Sequence, residues 1–148
     1  MAPEETGLYF TLFNEIGIIG QLSRTLLEAR LPEGLLAPHF TVLNHLVRLG
    51  DGTSPGALAR AFQTAKAAMT NTLQRLEARG LIRLEADPKD GRAKRVFLTD
   101  AGREMRERAI VAVGPGLAAI GRVLSDAEIA DLLPPLRRLR AHLDVARG

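Results

Sequence analysis

Apolar residues recur at three- and four-residue steps along most of the chain, which predicts helices broken by glycine and proline. Over residues 7–29, Leu8, Leu12, Ile16, Ile19, Leu22 and Leu26 form one stripe, and Phe10, Phe13, Ile18 and Leu27 widen it. A first helix apolar on more than one side needs two partners, its own core and a second subunit. Gly17 and Gly20 weaken that helix by about 1 kcal/mol each relative to Ala, yet they permit close helix contact. Pro32, Gly34 and Pro38 mark residues 31–38 as a linker. A second helix is expected over residues 39–49, with Phe40, Leu43, Leu46 and Val47 buried, and Gly50-Asp51-Gly52 ends it. Ser54-Pro55 then opens a short helix over residues 55–61, with Ser as cap and Pro at the first position.

The most informative stretch is residues 63–99. Thr64 reads as the cap of a helix that stops at Gly80. Ala68, Met69, Leu73 and Leu76 mark its buried face, while Lys66, Thr70, Asn71, Gln74 and Arg75 occupy the other. Two short helices joined by a tight turn, the second with a polar outer face, are a helix-turn-helix pattern. The period then changes. Residues 81–86 and 95–99 read as two strands around Asp87-Pro88-Lys89-Asp90-Gly91-Arg92, a turn by its Pro, Asp and Gly.

Thr99-Asp100 caps a helix expected to reach about Val113, with Met105, Ala109, Ile110 and Val113 on one side. Gly114-Pro115-Gly116 should kink or break it, and the pattern resumes over residues 117–124. Ser125-Asp126-Ala127-Glu128 is a capping box for a last helix. Its leucine stripe keeps phase through Pro134-Pro135, which favours one kinked helix over two.

Composition narrows the function. With 46% apolar and 25% charged residues in 148, the chain can bury a core as one domain. Aromatics are 4% with no Trp, so that core is aliphatic. No apolar run is long enough to span a bilayer. Glu4 and Glu5 stand where a secretion signal needs basic residues, so a cytoplasmic location is expected. Without cysteine there is no disulfide, thiolate metal site or thiol switch. His39, His45 and His142 are not spaced as a metal triad. Ser23, Ser54 and Ser125 lack a Gly-x-Ser-x-Gly context, and no glycine-rich phosphate loop follows a strand. Neither an enzyme nor a cofactor is expected.

The net charge of +3 is unevenly spread. Residues 60–95 carry nine Lys and Arg against four acids, whereas residues 1–59 carry three Arg against six acids. Positive charge concentrated beside a helix-turn-helix is a nucleic-acid footprint, although a solvated basic face has the same composition.

Residues 90–102, Asp-Gly-Arg-Ala-Lys-Arg-Val-Phe-Leu-Thr-Asp-Ala-Gly, and residues 73–82, Leu-Gln-Arg-Leu-Glu-Ala-Arg-Gly-Leu-Ile, add a specific signal. They resemble the wing signature and the end of the recognition helix of the MarR family of winged-helix regulators. The resemblance implies a mainly α fold with a β-hairpin wing and a winged helix-turn-helix DNA-binding lobe at 36–100. It also implies dimerisation helices at 7–30 and 101–146 in a single domain of 1–148. The expected protein is a homodimeric repressor that binds a pseudo-palindromic double-stranded operator and is released by a small, often aromatic or anionic, effector. The alternative is a ligand-binding or protein-interaction module on the same fold that has lost DNA binding.

Candidate roles follow. Lys66, Ala67, Thr70 and Asn71 lie in the first two helical turns, the end that faces bases in helix-turn-helix docking. Asn71 can pair with adenine, Lys66 can reach guanine, and the Ala67 methyl can touch thymine. Thr64 and Gln63 suit phosphates, though Thr64 serves equally as a cap alone. Arg75 can reach phosphate or pair near Glu77. Arg92 at the hairpin tip can enter a narrow minor groove. Asp90 orients a wing arginine or forms the turn. Lys89, Lys94 and Arg95 suit phosphates, with faces alternating along the strand. Phe13 and His39 are candidates to line an effector pocket between the first two helices.

Overall fold

The computed structural model describes residues 2–147. Its elements run α1 (Pro3–Glu28), a 3₁₀ turn (Pro32–Gly34), α2 (Ala37–Leu49), α3 (Pro55–Ala61), α4 (Lys66–Ala78), β1 (Ile82–Ala86), β2 (Lys94–Leu98), α5 (Asp100–Ala118), a second 3₁₀ turn (Ala119–Arg122) and α6 (Asp126–Arg147). The chain is mainly α with one antiparallel hairpin, as the sequence pattern predicts. Ile82 faces Leu98 and Ala86 faces Lys94 across that hairpin.

One core closes around α2, α3, α4 and the hairpin. Leu35, Val42, Leu43, Leu46, Leu58, Leu73, Leu76, Ile82 and Val96 are fully buried. Each such side chain contributes about 1.5–3 kcal/mol relative to exposure. The loop after α2 is stitched onto the hairpin. Gly52 N–H donates to Val96 O and Val96 N–H to Thr53 O, both at 2.8 Å, and Leu98 N–H donates to Asp51 Oδ1 at 2.7 Å. The wing is thereby rooted in the same core that holds the helices.

Helices α1 and α6 lie outside that core. Leu8 and Phe10 are more than 70% exposed, and Ile19, Leu22, Leu132, Leu133 and Leu143 are also open. The second partner that the apolar α1 pattern calls for is not supplied by this chain.

Several expectations shift. Helix α1 begins at Pro3 rather than residue 7, with Pro3 in the first turn, where its missing N–H has no helical partner to lose. Helix α2 begins at Ala37, two residues ahead of His39, for the same reason at Pro38. The strands begin at Ile82 and Lys94 and end at Ala86 and Leu98. Gly114-Pro115-Gly116 does not end α5, which continues to Ala118. The Arg30 side chain lies where a Gly116 side chain would be, so Gly116 is a close packing contact rather than a break. Ile110 is exposed, unlike Met105, Ala109 and Val113. Ser125 and Glu128 form the reciprocal capping box, each donating its backbone N–H to the other's side chain at 3.1 Å. Helix α6 runs unbroken through Pro134-Pro135.

Candidate nucleic-acid interface

The helix-turn-helix is set by local chemistry. Ser54 Oγ accepts the Ala57 N–H at 3.1 Å, which fixes the start of α3. The chain turns at Gln63, whose φ of 54° is left-handed, and Thr64 N–H closes the turn on Ala59 O. The cap of α4 is Ala65, not Thr64, and it offers no side-chain acceptor. The first N–H groups of α4 therefore keep their positive end toward solvent. Thr64 instead lines an open cleft with Gly56, Ala59, Arg60, Gln63, Lys66 and Asp144.

Helix α4 buries Met69, Leu73 and Leu76 against α2 and the hairpin. Lys66, Ala67, Thr70, Asn71, Gln74 and Arg75 face outward and are exposed. Ala68, expected inside, is exposed too. Among the described residues Lys66, Asn71 and Arg75 make no side-chain hydrogen bond or ion pair, whereas Glu77 accepts the Leu84 N–H. The far end of α4 is tied down. Arg79 Nη2 donates to Glu33 O at 3.0 Å, and the Glu33 carboxylate also pairs with Arg108 on α5.

The hairpin tip builds itself from two aspartates. Asp87 Oδ1 accepts the Lys89 N–H and Asp90 Oδ1 accepts the Arg92 N–H, at 2.9 and 3.0 Å. Asp90 thus forms the turn through a backbone bond two residues on, and it pairs with no arginine among the described residues. Lys89, Arg92 and Lys94 project outward without an acidic partner among those residues. Arg95 corrects the expectation made for it. It is half-buried, its Nε donates to Gly52 O at 3.0 Å, and its guanidinium stands 5.7 Å from the Phe97 ring centre. Strand alternation sends Val96 and Leu98 to the core and leaves Arg95 on the opposite face with Phe97, where it fastens the loop after α2 to the wing. Arg83 stacks closer on Phe97, at 4.9 Å, and pairs with Glu85.

A profile described as the MarR family matches residues 33–93. The transcriptional activatory protein BadR of Rhodopseudomonas palustris is 30% identical over 139 residues, covering 93% of this chain and 77% of BadR. The chain belongs to the MarR family. Solved structures agree. A MarR variant from E. coli complexed with operator DNA is 27% identical with a TM-score of 0.78, covering 87% of this chain and 93% of that one. PcaV from Streptomyces coelicolor in complex with its natural ligand is 25% identical with a TM-score of 0.76, covering 85% and 89% of the two chains.

The MarR family is one of transcriptional regulators rather than enzymes. In this MarR-family chain the outward face of α4 and the wing tip hold the predicted residues Lys66, Ala67, Thr70, Asn71, Arg75, Lys89, Arg92 and Lys94. Arg60 was missed. It ends α3 in the same cleft as Lys66, and only the packing of α3 on α4 brings the two together. Gln63 is not free for phosphate, because its Nε2 donates to Arg60 O and to Asp144 Oδ1.

Phe13 and His39 do not share any described cavity. Phe13 lines an apolar groove between α1 and α6 with Ile16, Leu136, Leu139 and Leu143. His39 is buried in the first turn of α2, and its Nδ1 accepts the Leu36 N–H at 3.0 Å. Burial lowers its pKa from 6.5, and Arg79 and Arg75 add to the effect. It acts as a neutral helix cap. Glu28 Oε1 accepts the Ala37 N–H at the same helix start, and that bond lowers the Glu28 pKa. No metal-binding cluster occurs among the described residues, and no single helix there is long and apolar enough to cross a membrane.

Proposed function

We propose that this regulator binds a pseudo-palindromic duplex as a homodimer. The observation that carries this reading is the outward face of α4, where Lys66, Thr70 and Asn71 stand exposed beside a wing tip whose Lys89, Arg92 and Lys94 form no ion pair among the described residues. Asn71, Thr70 and Lys66 read base edges in the major groove, and Arg92 enters the adjacent minor groove. Lys89, Lys94 and Arg60 neutralise phosphates. The exposed apolar stripes of α1 and α6 support the dimer, since contiguous apolar surface of this extent marks an interface. Two copies joined there place their α4 helices one DNA turn apart, about 34–36 Å. A dimer so bound over a promoter blocks polymerase, which makes the protein a repressor.

A small effector tunes the affinity. The groove lined by Phe13, Ile16, Leu136, Leu139 and Leu143 has about 500 Å³ of free space, with Arg140 at its rim. An apolar slot with Arg140 and Asp144 at its rim suits a small aromatic molecule, and PcaV, which also has the fold, was solved with its natural ligand. The test is selection of bound duplexes from a random pool, followed by titration at several salt concentrations. The reading expects a two-fold symmetric consensus and a steep salt slope. A protein that retards no duplex is instead a ligand-binding module on the same fold.

A further inference from the structure

The end of α6 reaches the turn of the helix-turn-helix. Gln63 Nε2 donates at 2.9 Å to Arg60 O and also to Asp144 Oδ1, from a residue 81 positions downstream. Gln63 holds a left-handed φ of 54°, which a non-glycine residue keeps only where its surroundings fix it. The carboxylate so held lines the cleft of about 520 Å³ that Arg60 and Lys66 also line. Neither cation forms an ion pair among the described residues. Asp144 is therefore a fixed negative charge set among the groups that meet a phosphate.

We propose that Asp144, held at the turn by Gln63, opposes DNA binding by placing its carboxylate in the Arg60–Lys66 cleft. The inference rests on the DNA-binding reading above. A phosphate and this carboxylate repel each other in that cleft, so bound DNA and the Gln63–Asp144 contact disfavour one another. Any movement of α6 that withdraws Asp144 raises affinity, and DNA binding in turn loosens the end of α6. The effect carries no sequence information, because it acts on phosphate contacts.

The test uses the full chain and a duplex that the wild type selects, read by fluorescence anisotropy. Asp144→Asn keeps a side-chain oxygen for Gln63 and removes the charge. It should tighten binding by about two- to five-fold at low salt, the effect of one unit charge in a wet cleft, and by less at high salt. Gln63→Gly fits the left-handed backbone and releases Asp144. It should tighten binding in the wild type and change nothing further in the Asp144→Asn background. An Asp144→Asn protein that binds no tighter, or a Gln63→Gly effect equal in both backgrounds, overturns the proposal. A wild type that binds no duplex removes the DNA-binding reading as well. The chain has no cysteine, so Gln63→Cys combined with Asp144→Cys supplies two thiols per chain. A short bis-maleimide should join them within one chain; a product linking two chains instead overturns the tie.

Discussion

Gly102 is the position where a single methyl group should do most damage. It lies in the first turn of α5, directly over the start of the hairpin. A Cβ built there would stand 2.0 Å from Leu81 O and 2.8 Å from Leu98 Cδ1. The carbonyl cannot retreat cheaply, because it accepts the Thr99 N–H at 3.2 Å. Thr99 is itself held on both sides, donating to Gly80 O and accepting the Gly102 N–H. Gly102→Ala gains about 1 kcal/mol of helix propensity. It loses up to about 3 kcal/mol by overpacking and about 1 kcal/mol if the Thr99 bond breaks. The net expectation is a loss of about 2–3 kcal/mol. Urea unfolding at fixed protein concentration measures it as a midpoint lowered by about 1 M, for a slope near 2 kcal/mol per M. Gly7→Ala is the matched control, since nothing lies within 4 Å of its Cβ position. It should be neutral or more stable by up to about 1 kcal/mol. A Gly102→Ala protein as stable as wild type would refute the close contact between α5 and the wing.

Other expectations concern the DNA face, the caps and the dimer. Arg92→Ala should weaken operator binding by about 1–3 kcal/mol and flatten the salt slope by about one charge, whereas Asn71→Ala should relax base preference at one position; binding to a panel of variant duplexes separates the two. His39 is neutral in the fold with a pKa below its unfolded 6.5. The unfolded chain therefore binds more protons in that window, and stability, complete above pH 6.5, falls as the pH drops below it. His39→Gln keeps a first-turn acceptor that does not titrate, so thermal melts from pH 8 to 5 should show that part of the slope vanish. Ser54→Ala should cost about 1 kcal/mol while Thr64→Ala costs almost nothing, since only Ser54 caps a helix here. Ile19→Asp, on the open stripe of α1, should yield monomers in sedimentation and lose most DNA affinity.

Element order was legible in the sequence because punctuation and periodicity agree. Ser54-Pro55, Thr99 with Gly102, and Ser125 with Glu128 all form the caps their spacing predicts. Thr64 misled because a threonine before an apolar run satisfies the cap rule, while the left-handed Gln63 moves the start of α4 one residue on. Gly114-Pro115-Gly116 misled because a proline removes one donor and crowds the preceding turn without always ending a helix, and α5 carries Pro115 inside it and continues to Ala118. At the site, residues on the outer face of one helix could be read from period alone. Arg95 could not, because the acceptor that ties it down is Gly52 O, 43 residues earlier. Arg60 and Asp144 meet Lys66 in one cleft only through the packing of separate helices. The wing signature carried family information that composition did not.

The way the two halves of the chain meet decides how a signal can pass between them. The lobe of α2, α3, α4 and the hairpin shares one core with Leu31 and with Met105, Ala109 and Val113 of α5, and Leu27 of α1 packs against it, whereas no described residue of α6 belongs to it. Polar contacts add to that apolar packing. Arg30 lies over Gly116, Glu33 joins Arg79 to Arg108, and Asp144 meets Gln63. Ion pairs as exposed as those of Glu33 contribute at most about 1 kcal/mol each. Moving the end of α6, joined to the lobe at Gln63, therefore costs less than moving α5, whose apolar side chains sit in the core. The polar joint at Asp144, outside the shared core, leaves α6 the flanking helix least firmly fixed to the lobe.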